Sequence, residues 1–399
     1  MGFDFTTMID RVGKDSIAVE RIPFKDYTVK EGFSRLPMWV ADMNFIGAPS
    51  ITKALEERIK TPAYGYFPPR KEYFDSIIKW QSERNGQTYV TADMIGYENG
   101  VLGGVTSALQ ALCHQGGKVL LHSPTYVGFT GTLNRNGYKI VHSPLVQDEN
   151  GVWRMDYEDM DKKLREEKIH VAIFCSPHNP CGRVWEKWEI EKAMEVYAKN
   201  NCYVISDEIW SDLLIGDNKH VPTLSVSEDA RKRTVALYAP SKTFNLAGLI
   251  GSYHIICDPY LRDRVVSHSE TSGYNHMNVL SMHALIGAYS EDGADWLKGL
   301  NEVLTDNVNY AYDYIVKNFK GVKLFKPEGT YMLFLDCEQW CKEHNKTIDE
   351  LQKAGVEVGV IWQDGRAFHG PYGIRMNLAL PTAKVKEAFD RLDKYVFNA

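Results

Sequence analysis

The sequence predicts an α/β fold: a large domain built on a mostly parallel sheet, and a smaller α+β domain drawn from both chain ends. Two observations carry that expectation. From about Met94 to about Ala288, short runs rich in Val and Ile alternate with amphipathic helical patterns, each run bounded by polar turn residues. That is the order of buried parallel strands joined by crossover helices. Neither chain end shares the alternation.

Residues 1–45 are irregular and punctuated by Pro23 and Pro37, so they are expected to join the smaller domain as an extended segment. The strand candidates that follow are Lys118–Leu121, Lys139–His142, Val171–Cys175, Tyr203–Ser206, Thr234–Tyr238 and Ser252–Cys257. Between them, Tyr157–Glu166 and Lys187–Lys199 place apolar residues at helical spacing. A long helical pattern, Trp296–Asn318, opens the C-terminal part. Strand-like runs at Tyr331–Cys337 and Ile374–Leu380 come next, then a closing helix after Pro381. The expected division is 1–45 joining the small domain, 46–288 as the large domain and 289–399 as the rest of the small one.

Composition narrows the function classes. The 46 basic and 52 acidic residues leave a net charge of −6 with no basic block, which argues against nucleic acid as a partner. Hydrophobic content of 44% and charged content of 25% exclude a largely disordered chain. No apolar run approaches the ~20 residues a membrane helix needs. The start Met1-Gly2-Phe3-Asp4-Phe5 lacks the basic-then-apolar order of a signal peptide. Seven cysteines, an odd number with no Cys-x-x-Cys pair, read as buried free thiols in a reducing compartment, so a cytoplasmic protein is expected. The histidines show no metal-ligand spacing, and no metal is expected.

In a doubly wound sheet the ligand sits beyond the carboxyl ends of the strands. Ser176-Pro177-His178-Asn179-Pro180 follows one strand candidate, Ser206-Asp207-Glu208 closes the next, and Ser241-Lys242-Thr243 follows a third. Taken singly, Asn-Pro makes a turn, Asp caps a helix and Lys is solvated. Taken together, an amide, a carboxyl and an amine stand at corresponding ends of three consecutive strands. Tyr238-x-x-x-Lys242 matches a dehydrogenase spacing that requires a helix, but Pro240 lies between the two and no glycine-rich dinucleotide loop accompanies them.

Several segments share these features with a known family: Pro37-Met38-Trp39-Val40-Ala41-Asp42-Met43, Tyr64-Gly65-Tyr66, Ser123-Pro124-x-Tyr126, Pro177-His178-Asn179-Pro180-x-Gly182-Arg183-Val184-Trp185, Ser206-Asp207-Glu208-Ile209 and Ser241-Lys242-Thr243-Phe244-Asn245. Running in family order over nearly the whole chain, they resemble the fold type I pyridoxal-phosphate enzymes of the aminotransferase class I/II superfamily. Within it they resemble the cystathionine β-lyase (C–S lyase) subgroup of MalY and PatB. The resemblance implies a seven-stranded sheet of the PLP-transferase type.

It also implies roles. Lys242 would attach the aldehyde cofactor pyridoxal 5′-phosphate and, once released, move the substrate Cα proton. Asp207 would keep the cofactor's pyridine nitrogen protonated. Asn179 would donate to its phenolic oxygen, and Tyr126 would stack on its ring. Backbone N–H groups of Val101 and Leu102, at a helix start, would face the phosphate together with Ser241. Tyr64 would reach the phosphate from a neighbouring subunit, implying a homodimer, and Arg375 would grip the substrate carboxylate as a planar fork. The sequence departs from the pattern at Ala239, where many relatives carry a hydroxyl residue. It departs again at Ala247-Gly248-Leu249-Ile250, where many carry a phosphate-binding Arg, and at Trp210, which cannot accept a proton. The implied activity is β-elimination on L-cystathionine or a related cysteine S-conjugate, giving pyruvate, ammonia and a thiol. An aminotransferase acting on an L-amino acid would use the same residues, and a cofactor-bound protein whose main task is to bind a protein partner is a third reading.

Overall fold

In a computed structural model, residues 2–398 are described. The strands Val171–Cys175 and Thr234–Tyr238 are buried at every position, because both faces of the sheet they belong to are covered. Successive side chains leave opposite faces of a strand. Val171, Ile173 and Cys175 accordingly join one apolar cluster, with the helices Val101–Leu112 and Pro259–Ser272. Ala172 and Phe174 join another, with Tyr157–Glu166 and Lys187–Lys199.

The sheet has seven strands in the order Ile95–Asn99, Gly251–Ile255, Thr234–Tyr238, Tyr203–Asp207, Val171–Cys175, Lys118–Ser123, Lys139–Pro144. Gly251–Ile255 is antiparallel to both its neighbours, while every other pairing is parallel. The fold class read from the sequence, a large mostly parallel sheet flanked by helices, is therefore present. Four of the six expected strands differ at their ends: Lys118, Lys139 and Tyr203 begin strands that run on to Ser123, Pro144 and Asp207, and Gly251–Ile255 starts before Ser252 and stops short of Cys257. The edge strand Ile95–Asn99 and the helices Pro49–Ile59 and Lys71–Asn85 were not anticipated. The helical pattern read from Trp296 begins earlier, at Glu291, where the Ser290 side chain accepts from the Gly293 N–H and caps it.

A second, four-stranded sheet is antiparallel throughout, in the order Lys323–Leu324, Met332–Asp336, Gly373–Asn377, Gln363–Asp364. The N-terminal segment reaches this part of the molecule: Leu36–Pro37 pairs in parallel with Val360–Ile361, and the Asn44 N–H donates to the Ala379 carbonyl. Residues 39–44 then form a strap held from both sides. Asn377 Nδ2 donates to the carbonyls of Val40 and Asp42, each at 2.6 Å. Opposite, Asn245 accepts from Met43 N–H at 3.0 Å and donates to the Met43 carbonyl at 3.1 Å.

Asn377 is fully buried, and its Oδ1 also accepts from Ala379 N–H. Replacing it with Ala strands two carbonyls and one N–H. A loss of about 2–3 kcal/mol is expected, read as a lower melting temperature by calorimetry. An unchanged melting temperature would contradict this account of the strap.

Candidate active site

Asp207, Asn179 and Lys242 stand where the strands Tyr203–Asp207, Val171–Cys175 and Thr234–Tyr238 end, and a cavity of about 200 Å³ opens between them. Val101, Leu102, Tyr126, Asn179, Asp207, Ser241 and Lys242, all anticipated from sequence, line it.

Asp207 is the last residue of its strand and is buried. Its carboxylate accepts from the Ile209 N–H at 3.1 Å. Burial pushes the carboxyl up to about 7, against the Ile209 bond and the Lys242 charge, while the charge of Glu208 adds to the rise. Glu208 faces away into a polar cluster, accepting from Tyr238 Oη at 2.6 Å, Ser206 Oγ at 2.9 Å and Thr223 N–H at 3.1 Å, with His220 Nε2 at 2.7 Å. Burial opposes its charge, but the bonds from His220 and Tyr238 outweigh that cost and hold it below the usual carboxylate range. Tyr238 is thus a strand residue committed to Glu208, which removes the dehydrogenase reading of Tyr238 and Lys242.

Lys242 lies on the single helical turn Pro240–Thr243, opened by Pro240, whose fixed φ and missing N–H suit a first helical position. Its Nζ donates to the Ala41 carbonyl of the strap at 2.9 Å. Burial lowers the amine to about 8; the Arg375 charge lowers it further, and Asp42 and Asp207 oppose. The Trp210 indole forms part of the wall, 5.9 Å from Nζ.

Arg375 is buried beside the cavity and reaches it through Asn179, whose Oδ1 accepts from Nη1 at 3.2 Å. Nη2 donates to the Trp39 carbonyl at 3.1 Å and to Gln363 Oε1. Each of these acceptors is neutral. The Phe368 ring covers the guanidinium at 4.6 Å, and burial depresses its pKa to about 10. The bond from Arg375 fixes the Asn179 amide with its N–H groups left for a ligand.

At the other end, the helix Val101–Leu112 starts at the cavity wall. Gly100, at φ 73°, precedes it and donates its N–H to the Ile250 carbonyl at 3.0 Å. A Cβ on Gly128 would stand 2.3 Å from the Tyr126 ring, so glycine there lets that ring lie against the wall. Ala247 and Ile250 are in the lining, which among the described residues includes no Lys or Arg besides Lys242, so an anion would be met by backbone N–H groups and Ser241.

Tyr64 is not brought to the cavity. It is 57% exposed on the irregular segment between Pro49–Ile59 and Lys71–Asn85, with Arg58 5.3 Å from its ring. Sequence reasoning gave no role to the Ala41 carbonyl, Ile209, Ala247, Ile250 and Gly251, which act through backbone or plain apolar contact that side-chain type does not announce. Cys175, read only as a buried thiol, also lines the wall. The donor set fits pyridoxal phosphate: an amine, a carboxyl, an aromatic face, an amide donor and a helix N-terminus share one cavity.

A sequence profile described as Aminotransferase class I and II matches residues 42–392. Cystathionine beta-lyase PatB of Bacillus subtilis is 33% identical over 360 residues, covering 90% of this chain and 91% of that protein. Protein MalY of Escherichia coli is 28% identical over 391 residues, covering 96% of each chain. Among solved structures, the PLP-bound C-S lyase from Staphylococcus hominis superposes with a TM-score of 0.88 at 28% identity, covering 98% of each chain.

The half-buried Lys242 amine has a measurable signature. On protein stripped of small-molecule ligands, an amine-selective reagent should modify Lys242 with a midpoint near pH 8, well below exposed lysines, as read by peptide mass spectrometry. Asp207→Asn removes a charge that favours the ammonium, so the midpoint should fall further.

Proposed function

The chain belongs to the aminotransferase class I and II family, and from that premise we propose that it is a pyridoxal-phosphate-dependent carbon–sulfur β-lyase. L-Cystathionine or a related cysteine S-conjugate is the proposed substrate, cleaved to pyruvate, ammonia and a thiol. The observation that carries this reading is the meeting of Lys242, Asp207 and Asn179 in one cavity, with Arg375 bonded to Asn179 and facing only neutral acceptors. The likeness to PatB over 90% of the chain supports the lyase subgroup.

In this reading Val101, Leu102 and Ser241 would hold the cofactor's phosphate, Tyr126 would stack on its ring, and Asn179 and Asp207 would bond its phenolic oxygen and ring nitrogen. When bound, pyridoxal phosphate supplies a sink for the electrons left at the substrate Cα. Arg375 binds the substrate carboxylate by charge and hydrogen bonding and so orients Cα. Lys242, with its amine lowered to about 8, is about one-tenth neutral at pH 7, far more than an ordinary lysine, and takes the Cα proton as general base. Asp207, buried in the cavity wall, would hold the proton on the ring nitrogen. Loss of the Cα proton and departure of the thiolate from Cβ leave a fragment that hydrolyses to pyruvate and ammonia.

Three further elements belong to the same proposal. The chain divides into a large domain over 46–288 and a small domain from both ends, a division supported by the contacts of residues 36–44 with the C-terminal sheet. The enzyme acts as a homodimer in which Tyr64 serves the neighbouring subunit's phosphate site, which is supported by its exposure away from its own cavity. It works in the cytoplasm, which agrees with seven cysteines outside any disulfide. No helix among the described residues is long and apolar enough to cross a membrane.

With L-cystathionine and no keto acid present, the protein should release pyruvate and thiol, and Lys242→Ala should reduce the rate by about 10²–10⁴-fold. Amino transfer to an added keto acid without pyruvate would assign the aminotransferase instead. Co-expressing Tyr64→Ala with Lys242→Ala subunits tests the dimer. A shared site restores activity above both parents, because one site of each mixed dimer is intact. No restoration would refute the shared site.

A further inference from the structure

Tyr331 is fully buried, yet its hydroxyl has no hydrogen-bond partner among the described residues. A buried phenol left that way loses about 1–3 kcal/mol, and buried tyrosines usually bond something. Its location is specific. The ring packs edge-on against Trp210 at 4.9 Å, and Trp210 forms the cavity wall beside Lys242. Tyr331 directly precedes the strand Met332–Asp336, which pairs with the strand carrying Arg375, and its carbonyl accepts from the Leu378 N–H at 2.8 Å. The charges of Arg375 and Asp42 both act on the hydroxyl, but Asp42 is already engaged by Arg11, at 2.7 Å.

Arg375 has an unused donor of its own. Its Nη1 and Nη2 are taken by Asn179, Trp39 and Gln363, while its buried Nε–H meets no acceptor. Two orphaned donors, one of them on a cation, thus stand one side chain back from the same cavity, Tyr331 behind Trp210 and Arg375 behind Asn179. The group that would satisfy both is an anion arriving from outside the chain, and a carboxylate has the four lone-pair sites to accept from each.

We propose that Tyr331 is a substrate-binding residue, its hydroxyl donating to the substrate carboxylate alongside the Arg375 Nε–H. The proposal rests on the reading of Arg375 as the carboxylate-binding residue. Tyr331 then adds to the preference for free amino acids over neutral amides of the same shape.

Tyr331→Phe removes one oxygen and keeps the ring against Trp210. The probes are L-alanine, which has amine and carboxylate but no leaving group, and L-alaninamide, its uncharged counterpart. Each is titrated into the holoenzyme for a dissociation constant. The variant should bind L-alanine about tenfold more weakly and L-alaninamide as the parent does. Its melting temperature should equal or exceed the parent's, because the orphaned hydroxyl is gone. Unchanged L-alanine affinity, or equal weakening for both probes, overturns the proposal. Arg375→Gln separates the two claims. If that variant keeps the preference for L-alanine, the reading of Arg375 fails and the proposal with it. If it loses the preference while Tyr331→Phe keeps it, only the assignment of Tyr331 fails.

Discussion

Two cations meet at the site, Arg375 buried and Lys242 half-buried, and the rest of the structure is arranged around that cost. Charges taken out of water destabilise a fold unless something polar replaces the solvent. Here the replacement is neutral. The Trp39 carbonyl accepts from Arg375 and the Ala41 carbonyl from Lys242, with Asn179 and Gln363 completing the set around Arg375. Carboxylates at those points would lock both side chains in ion pairs. Carbonyls and amides solvate them and leave their charge available to an incoming ligand. The strap 39–44 must therefore be held firmly, and Asn377 and Asn245 hold it from the two sides.

The sheet supplies the second half of the arrangement. Asp207 and the helix that starts at Val101 each adjoin a buried carboxylate–histidine pair. Glu208, next to Asp207, bonds His220, Tyr238, Ser206 and Thr223. Glu98, three residues before Val101, bonds His254, Ser107 and Ser269. His220 Nδ1 and His254 Nε2 meet no partner among the described residues, so it is the several bonds gathered by each carboxylate that tie down the backbone on both sides of the cavity. These are positioning groups; the residues that line the cavity inherit their placement from them.

Most of the large sheet was legible because its strands are short, apolar and bounded by turns, the case in which periodicity speaks clearly. Val171–Cys175 and Thr234–Tyr238 match residue for residue. Ile95–Asn99 was missed because Gly96, Glu98 and Asn99 break the apolar run: Glu98 is a buried polar hub, and Gly96 makes room for the His254 ring. At the site, side-chain chemistry was readable and backbone chemistry was not. Lys242, Asp207 and Asn179 announce themselves by type and position. Ala41 is an alanine whose contribution is a carbonyl, and any residue has one. Tyr64 was legible only through resemblance, since nothing in one chain draws it to the cavity.

The same burial that makes the site costly also tunes it. Lys242 falls from 10.5 to about 8, while Asp207 rises from 3.8 to about 7. In water these groups differ so widely that the ammonium and the carboxylate both hold their charge across the neutral range. Here the gap has nearly closed, and at neutral pH each group is close to the point of changing state. A base works best when its pKa lies near the working pH, where it is free to accept and able to return the proton. Moving either group to the surface would restore its ordinary pKa and its inertness together. The depth of the cavity is thus a requirement of the proposed chemistry, and the strap of carbonyls is what makes that depth tolerable.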